Sequence, residues 1–163
     1  MSELLLAEAG IRQLHARYVD AVWRKDLAAF VDCFAQDAEW KIAGMHLRGR
    51  LEIEGAIARL LGACERVLMT VGTPVLEIRH GSAIGRLYCL EYARLVGAAP
   101  VMNIGIYYDR YLKEGGRWLF QWRHWSLQYR GPPDLSAPFV DSPDYGPFPN
   151  MPPSDASTIV RKA

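Results

Sequence analysis

The chain has 163 residues, half of them hydrophobic, with 19 Lys and Arg against 18 Asp and Glu. That length fits one domain with a substantial core, and a formal charge of +1 offers no long-range field for nucleic acid or anionic lipid. No stretch reaches the length of a membrane span, and the start, Met1-Ser2-Glu3-Leu4-Leu5-Leu6, lacks the basic n-region of a signal peptide. Cys33, Cys64 and Cys89 are odd in number, widely spaced and set among apolar neighbours. They read as buried free thiols in a reducing, cytoplasmic setting.

Residues 4–24 show helical spacing, with Ile11, Leu14, Tyr18 and Ala21 on one stripe. Asp26 reads as the N-cap of a second, short helix that carries Phe30 and Phe34 on one face and ends at Asp37. Trp40, Ile42 and the break at Gly44 predict a short hairpin ending near Leu47. Helical period returns over residues 51–64, where Ile53, Ile57, Leu60 or Leu61, and Cys64 share a side.

The remainder reads as strands. Val67 to Ile78 is expected as one, with Pro74 suited to an edge or a bulge. His80-Gly81-Ser82 turns it into a strand from Ala83 to Val96. After Gly97-Ala98-Ala99-Pro100 comes Val101 to Leu112, and after Glu114-Gly115-Gly116 comes Trp118 to Arg130. Turns this short require antiparallel neighbours. Helices first and a meander afterwards give an α+β fold. Residues 1–130 form the expected domain. Residues 131–163 form a Pro-rich tail, with eight prolines between Gly131 and Pro153. Phe139, Tyr145 and Phe148 predict that it packs on the domain or on a dimer partner.

Alternation along the last two strands, carried unbroken through the turn at Gly115-Gly116, puts Gly105, Tyr107, Asp109 and Tyr111 on one face with Trp118, Phe120, Trp122, His124 and Ser126. Ile104, Ile106, Tyr108, Arg110, Leu119, Arg123, Trp125 and Leu127 take the other. A carboxylate buried among aromatics has a raised pKa and can carry protons near neutral pH, with an imidazole as its complement. Asp109 and His124 are the expected pair, in a pocket walled by Tyr107, Trp122 and Trp40. The alternative is structural: Asp109 paired with an arginine such as Arg86, and His124 bonded to backbone. His15 is expected at the surface or at a helix contact, His46 in a loop, His80 in a turn. No histidine or cysteine spacing suits a metal, and no phosphate loop or nucleophile elbow occurs. No cofactor is therefore expected.

These pieces have an order that resembles a family. Tyr18-x-x-Ala21, then Asp26-x-x-x-Phe30-x-x-x-Phe34-x-x-Asp37-Ala38-x-Trp40, is similar to the opening of SnoaL-like proteins. Gly49 with Ile53 and Ile57, Pro74-x-x-Glu77-Ile78 with Ala83-x-Gly85, and Gly105-x-Tyr107-x-Asp109 with Gly115-Gly116-x-Trp118 continue the match to about residue 130. The resemblance implies a cone-shaped α+β barrel, its curved antiparallel sheet wrapped around the N-terminal helices, commonly dimeric through the sheet. It implies a small hydrophobic or aromatic ligand and either cofactor-independent lyase or isomerase chemistry on a ring, the non-catalytic role of a ring-hydroxylating dioxygenase small subunit, or a carrier. Catalytic Asp109, His124 and Tyr107 are then expected with substrate contacts from Tyr18, Trp23, Trp40, Met69, Tyr88 and Trp122. The chain departs from the dehydratase pattern at Val22-Trp23, where that pattern has Tyr-Asp, and at Met69, where it has a histidine.

Overall fold

A long helix opens the fold because one stripe of it has nowhere to go but inward. In the computed structural model, which describes residues 2–140, α1 spans Glu3–Arg24 and buries Ile11, Leu14, Tyr18 and Ala21 completely or nearly so. Ser2 caps its start by accepting from the amide of Leu5, and Lys25 ends it in the left-handed region at φ 53°. Asp26 caps α2, Leu27–Val31, by accepting from the Ala29 amide at 2.9 Å. That helix is shorter than its sequence suggests. Phe34 belongs instead to β1, Phe34–Ile42, where it pairs with Phe120. The sheet's backbone bonds capture this segment, and Phe120 N–H donates to Cys33 O at 2.9 Å.

The hairpin to β2, Met45–Arg48, turns on Ala43 and Gly44, both at positive φ. Helix α3 is Gly49–Gly62, and Cys64 already opens β3, Cys64–Val71. The single strand expected from Val67 to Ile78 is two. Around Gly72-Thr73-Pro74 the chain leaves the sheet, and β4, Val75–Arg79, resumes on the same neighbour, β5, Ser82–Leu95. Proline's missing donor makes that interruption cheap at an edge. The long hairpin β6, Val101–Glu114, and β7, Arg117–Gly131, closes through Gly115-Gly116 at φ 56° and 79°.

The sheet order is β2-β1-β7-β6-β5-β3, with β4 also on β5. It is curved but unclosed, so the cone is an open one and not a complete barrel. The pairing is also not wholly antiparallel: β1 lies parallel to β7, a long-range contact that no short turn announces. The helices fill the concave side. Tyr18, Phe30, Phe34, Trp40 and Phe120 form a continuous aromatic core there, with neighbouring ring centroids 4.7–6.3 Å apart. No helix among the described residues is long and apolar enough to cross a membrane.

Two bulges decide which side chains look inward. Tyr111 pairs with Phe120 while Arg110 pairs with Trp122, leaving Gln121 as an extra residue; Gly105 pairs with Leu127 and Ile104 with Tyr129, leaving Gln128 extra. Each extra residue shifts the alternation by one.

Candidate functional site

The bulge at Gln121 divides the expected site. Beyond it, Arg123 and Trp125 face inward with Asp109 and Tyr107, while Trp122 and His124 turn to the outer face with Arg110 and Tyr108. His124 lies parallel to Trp122 at 5.8 Å and edge-on to Tyr108 at 6.2 Å. Its partnership with Asp109 is thus corrected, as is the placement of Trp122 in the pocket wall and of Arg123 and Trp125 outside. Tyr88 is also on the outer face, 56% exposed, as is Arg86, opposite Tyr108. Of the remaining expected residues, Tyr18, Trp40, Met69 and Tyr107 are buried inside and Trp23 stands at the rim. Tyr145 and Phe148 lie outside the described residues. Phe139 is within them, its ring 4.8 Å from that of Tyr129, and Val140 donates to Gln128 O at 2.8 Å.

Asp109 does pair with an arginine, from the facing strand. Arg123 Nε donates to Oδ1 at 2.8 Å and a terminal nitrogen donates to Oδ2 at 3.1 Å, and both side chains are fully buried. Tyr111 donates its hydroxyl to Oδ2 at 3.1 Å. That hydroxyl must then accept from His15 Nε2, 2.9 Å away, which leaves His15 Nδ1 to accept from Arg123 at 3.4 Å. The hydrogen count closes only with a neutral imidazole. Burial, and then the Arg123 charge, do hold His15 well below the ordinary histidine value. His15 is therefore a buried member of the network, not a surface group. Above the guanidinium lie Tyr107 at 3.8 Å, Phe120 at 3.9 Å and Tyr18 at 4.3 Å. Burial lifts Asp109 above the usual carboxylate range, while Arg123 and Tyr111 pull against it. Nothing in this narrow end is exposed: a buried ion pair, its one unbonded terminal nitrogen, Arg123 Nη1, left among aromatic rings, pins α1 to β6 and β7.

The next layer outward is different. The Tyr18 and Tyr107 hydroxyls meet at 3.2 Å. One donates to the other, and the receiver's own hydrogen has no acceptor among the described residues. Trp125 packs on Tyr107 at 4.6 Å and lies over Gly105, where a Cβ would come within 2.3 Å of its ring.

At the wide end a row of side chains crosses four strands on the concave face. Met69, Glu91, Asn103 and Arg130 are register partners in succession. Asn103 Nδ2 donates to Glu91 Oε1 at 2.7 Å, and Arg130 donates to Asn103 Oδ1 at 2.9 Å. Burial raises the Glu91 pKa, against the Asn103 hydrogen bond and the Arg130 charge. Burial first, and the Glu91 charge after it, push up Tyr18 and Cys89, the latter to about 12. Trp23, 49% exposed, donates its indole hydrogen to Met69 O at 2.7 Å, and Lys25 Nζ donates to Cys64 O, so both brace the rim. Glu91 is not among the residues expected at the site. Its signal lies in β5, where Leu87, Cys89 and Glu91 follow at steps of two toward the same face. Among the described residues no cluster of three or more His, Cys, Asp and Glu could hold a metal ion.

Residues 3–124 match the model of the SnoaL-like domain. No curated protein matches this sequence. Among solved structures the chain is similar to a scytalone dehydratase-like protein of Novosphingobium aromaticivorans (16% identity, 78% of this chain and 87% of that one, TM-score 0.74). It is similar to the hexachlorocyclohexane dehydrochlorinase LinA-type3 of Novosphingobium barchaimii (20% identity, 87% and 100% covered, TM-score 0.73). It also resembles an aromatic ring hydroxylase-like protein of Novosphingobium aromaticivorans (17% identity, 82% and 91% covered, TM-score 0.70). At these identities the likeness is one of fold.

Proposed function

The chain belongs to the SnoaL-like domain family, and from that premise we propose that it binds a small apolar ring compound at the wide end of its cone and acts on it as a cofactor-independent lyase or isomerase. The observation that carries this reading is the make-up of the concave strip. Met69, Cys89, Tyr107 and Trp125 are buried apolar and aromatic side chains of the concave face, and among them a tyrosine hydroxyl hydrogen of the Tyr18–Tyr107 pair remains unspent. Walls of that kind with a few convergent polar groups are what small-molecule sites are made of. The dehydratase and dehydrochlorinase that share the fold are named for eliminations. Such reactions need a proton carrier and a dry surface, not a bound group.

The proton carrier is not Asp109. In this reading its carboxylate is committed to the two bonds it takes from the buried guanidinium. Its role is to hold Arg123, and Tyr107 serves as a wall and hydroxyl donor.

Titration with nitrobenzimidazole, a neutral bicyclic aromatic, tests the binding half of the reading. The fluorescence of Trp23 and Trp125 is expected to quench saturably, and Trp125→Ala is expected to weaken binding at least tenfold. Unsaturable quenching in the wild type, or equal affinity in Trp125→Ala, would contradict it.

One observation favours the assembly reading, a non-catalytic subunit of the dioxygenase kind. The outer face exposes Tyr88, Leu90 and Tyr92 at 56%, 38% and 44%, beside Ile106, Ile104 and Met102 on β6. A second copy of this chain covers such a strip equally well. The mass in solution distinguishes a self-pair from a mixed assembly.

A further inference from the structure

Building on the lyase or isomerase reading, we propose that Glu91 is the proton-accepting catalytic residue, with Asn103 and Arg130 as its positioning residues. The substrate class is a neutral ring compound whose carbon-bound hydrogen stands next to a breakable bond or a carbonyl. The argument is geometric. Glu91 sits on the concave face between Met69 and Asn103, its Oε1 held by Asn103 at 2.7 Å while Oε2 has no hydrogen-bond partner among the described residues. Asn103 is itself fixed at its other end by Arg130 at 2.9 Å, so its amide cannot turn away. One carboxylate oxygen is thereby oriented and the other is left to react.

Access distinguishes this carboxylate from Asp109. Glu91 is only partly buried, whereas Asp109 is fully buried. The charge that bears on Glu91 is that of Arg130 from β7; the titratable groups that face it, Tyr18 from α1, Cys89 beside it on β5 and Cys64 from β3, are neutral where a carboxylate titrates. In the step itself Glu91 takes the proton from carbon. The C–H electron pair becomes a new double bond and the leaving group departs with the pair of its own broken bond. With a carbonyl neighbour the pair is held as the enolate, and the neutral Glu91 returns the proton to another carbon. Neither course needs a co-reactant.

Nitrobenzisoxazole tests this directly. A base removes its ring C–H, the N–O bond breaks, and a coloured cyanonitrophenolate forms with no other reagent. The wild type is expected to bind it and open it, with a rate that rises through the Glu91 titration. Glu91→Gln is expected to bind within about twofold of wild type, fold as well by thermal melt, and lose about a hundredfold or more in rate, the scale of a general base. Asn103 and Arg130 both favour the charged carboxylate, so Asn103→Ala and Arg130→Gln are expected to move the midpoint of the pH–rate profile upward. A merely structural role would lower amplitude without moving it. No binding of the probe by wild type overturns the ring-ligand reading and this proposal together. Binding without turnover, a Glu91→Gln variant as fast as wild type, or an unmoved midpoint in both positioning variants overturns the assignment of Glu91 alone.

Discussion

Asp109→Asn separates a structural carboxylate from a chemical one. The change keeps the side chain's shape and removes its charge, so Arg123 keeps its position and loses its counter-ion. Both groups are fully buried, and water cannot replace what the carboxylate supplied at 2.8 and 3.1 Å. Breaking a buried pair from one side costs about 3–5 kcal/mol. At roughly 2–4 °C per kcal/mol for a chain of this size, the melting temperature falls by about 6–20 °C. That is a large share of a typical domain's stability of about 5–15 kcal/mol, so urea denaturation at low temperature is the better quantitative assay. The double variant Asp109→Leu with Arg123→Met puts apolar groups where the pair stood and is expected to be more stable than Asp109→Asn. An Asp109→Asn cost below about 1 kcal/mol would refute the reasoning, because an exposed ion pair is worth no more than that.

Other consequences are equally direct. Gly105→Ala sets a methyl against the Trp125 ring at 2.3 Å and the Ser126 carbonyl at 2.7 Å; overpacking of this kind costs about 1–3 kcal/mol, measurable by urea melts, and it displaces the wall of the proposed site. His15 is held neutral by burial and Arg123, so the unfolded chain takes up a proton that the folded chain refuses as pH falls below about 6.5. Stability present above that pH is then lost below it, by at most about 1.4 kcal/mol per pH unit. The melting temperatures of His15→Gln and wild type, compared across pH 5–7, are expected to converge as the pH falls; a constant difference would contradict the neutral assignment. Leu90→Glu charges the middle of the exposed outer strip. Light scattering is expected to show a dimer in the wild type and a monomer in the variant.

Much of this architecture is legible in the sequence because it rests on local signals. The α1 stripe, the Asp26 cap and the Gly115-Gly116 turn each act within a few residues, and the antiparallel meander follows from the turns. The inward facing of Tyr107 and Asp109 is legible in the same way. What hides is non-local. Nothing near Gln121 marks it as a bulge, yet that single residue exchanges the faces of Arg123 and His124, and with them the identity of Asp109's partner. The parallel pairing of β1 with β7 joins segments some eighty residues apart, and it takes Phe34 from a helix into a strand. Alternation with Leu87 and Cys89 turns Glu91 inward, but what it meets there, Met69, Asn103 and Arg130, depends on the register of three other strands.

The central claim is that ligand binds at the wide end of the cone and not at the sealed Asp109 network. Methyl NMR of the protein labelled at its methionines, titrated with nitrobenzimidazole, tests it most directly. Met69 lies inside beside Glu91, Met102 lies on the outer face opposite Tyr92, and Met45 lies on β2. The account predicts a saturable shift of the Met69 methyl with Met45 and Met102 unmoved. A shift confined to Met102, or a Met69 signal indifferent to saturating ligand, would contradict it.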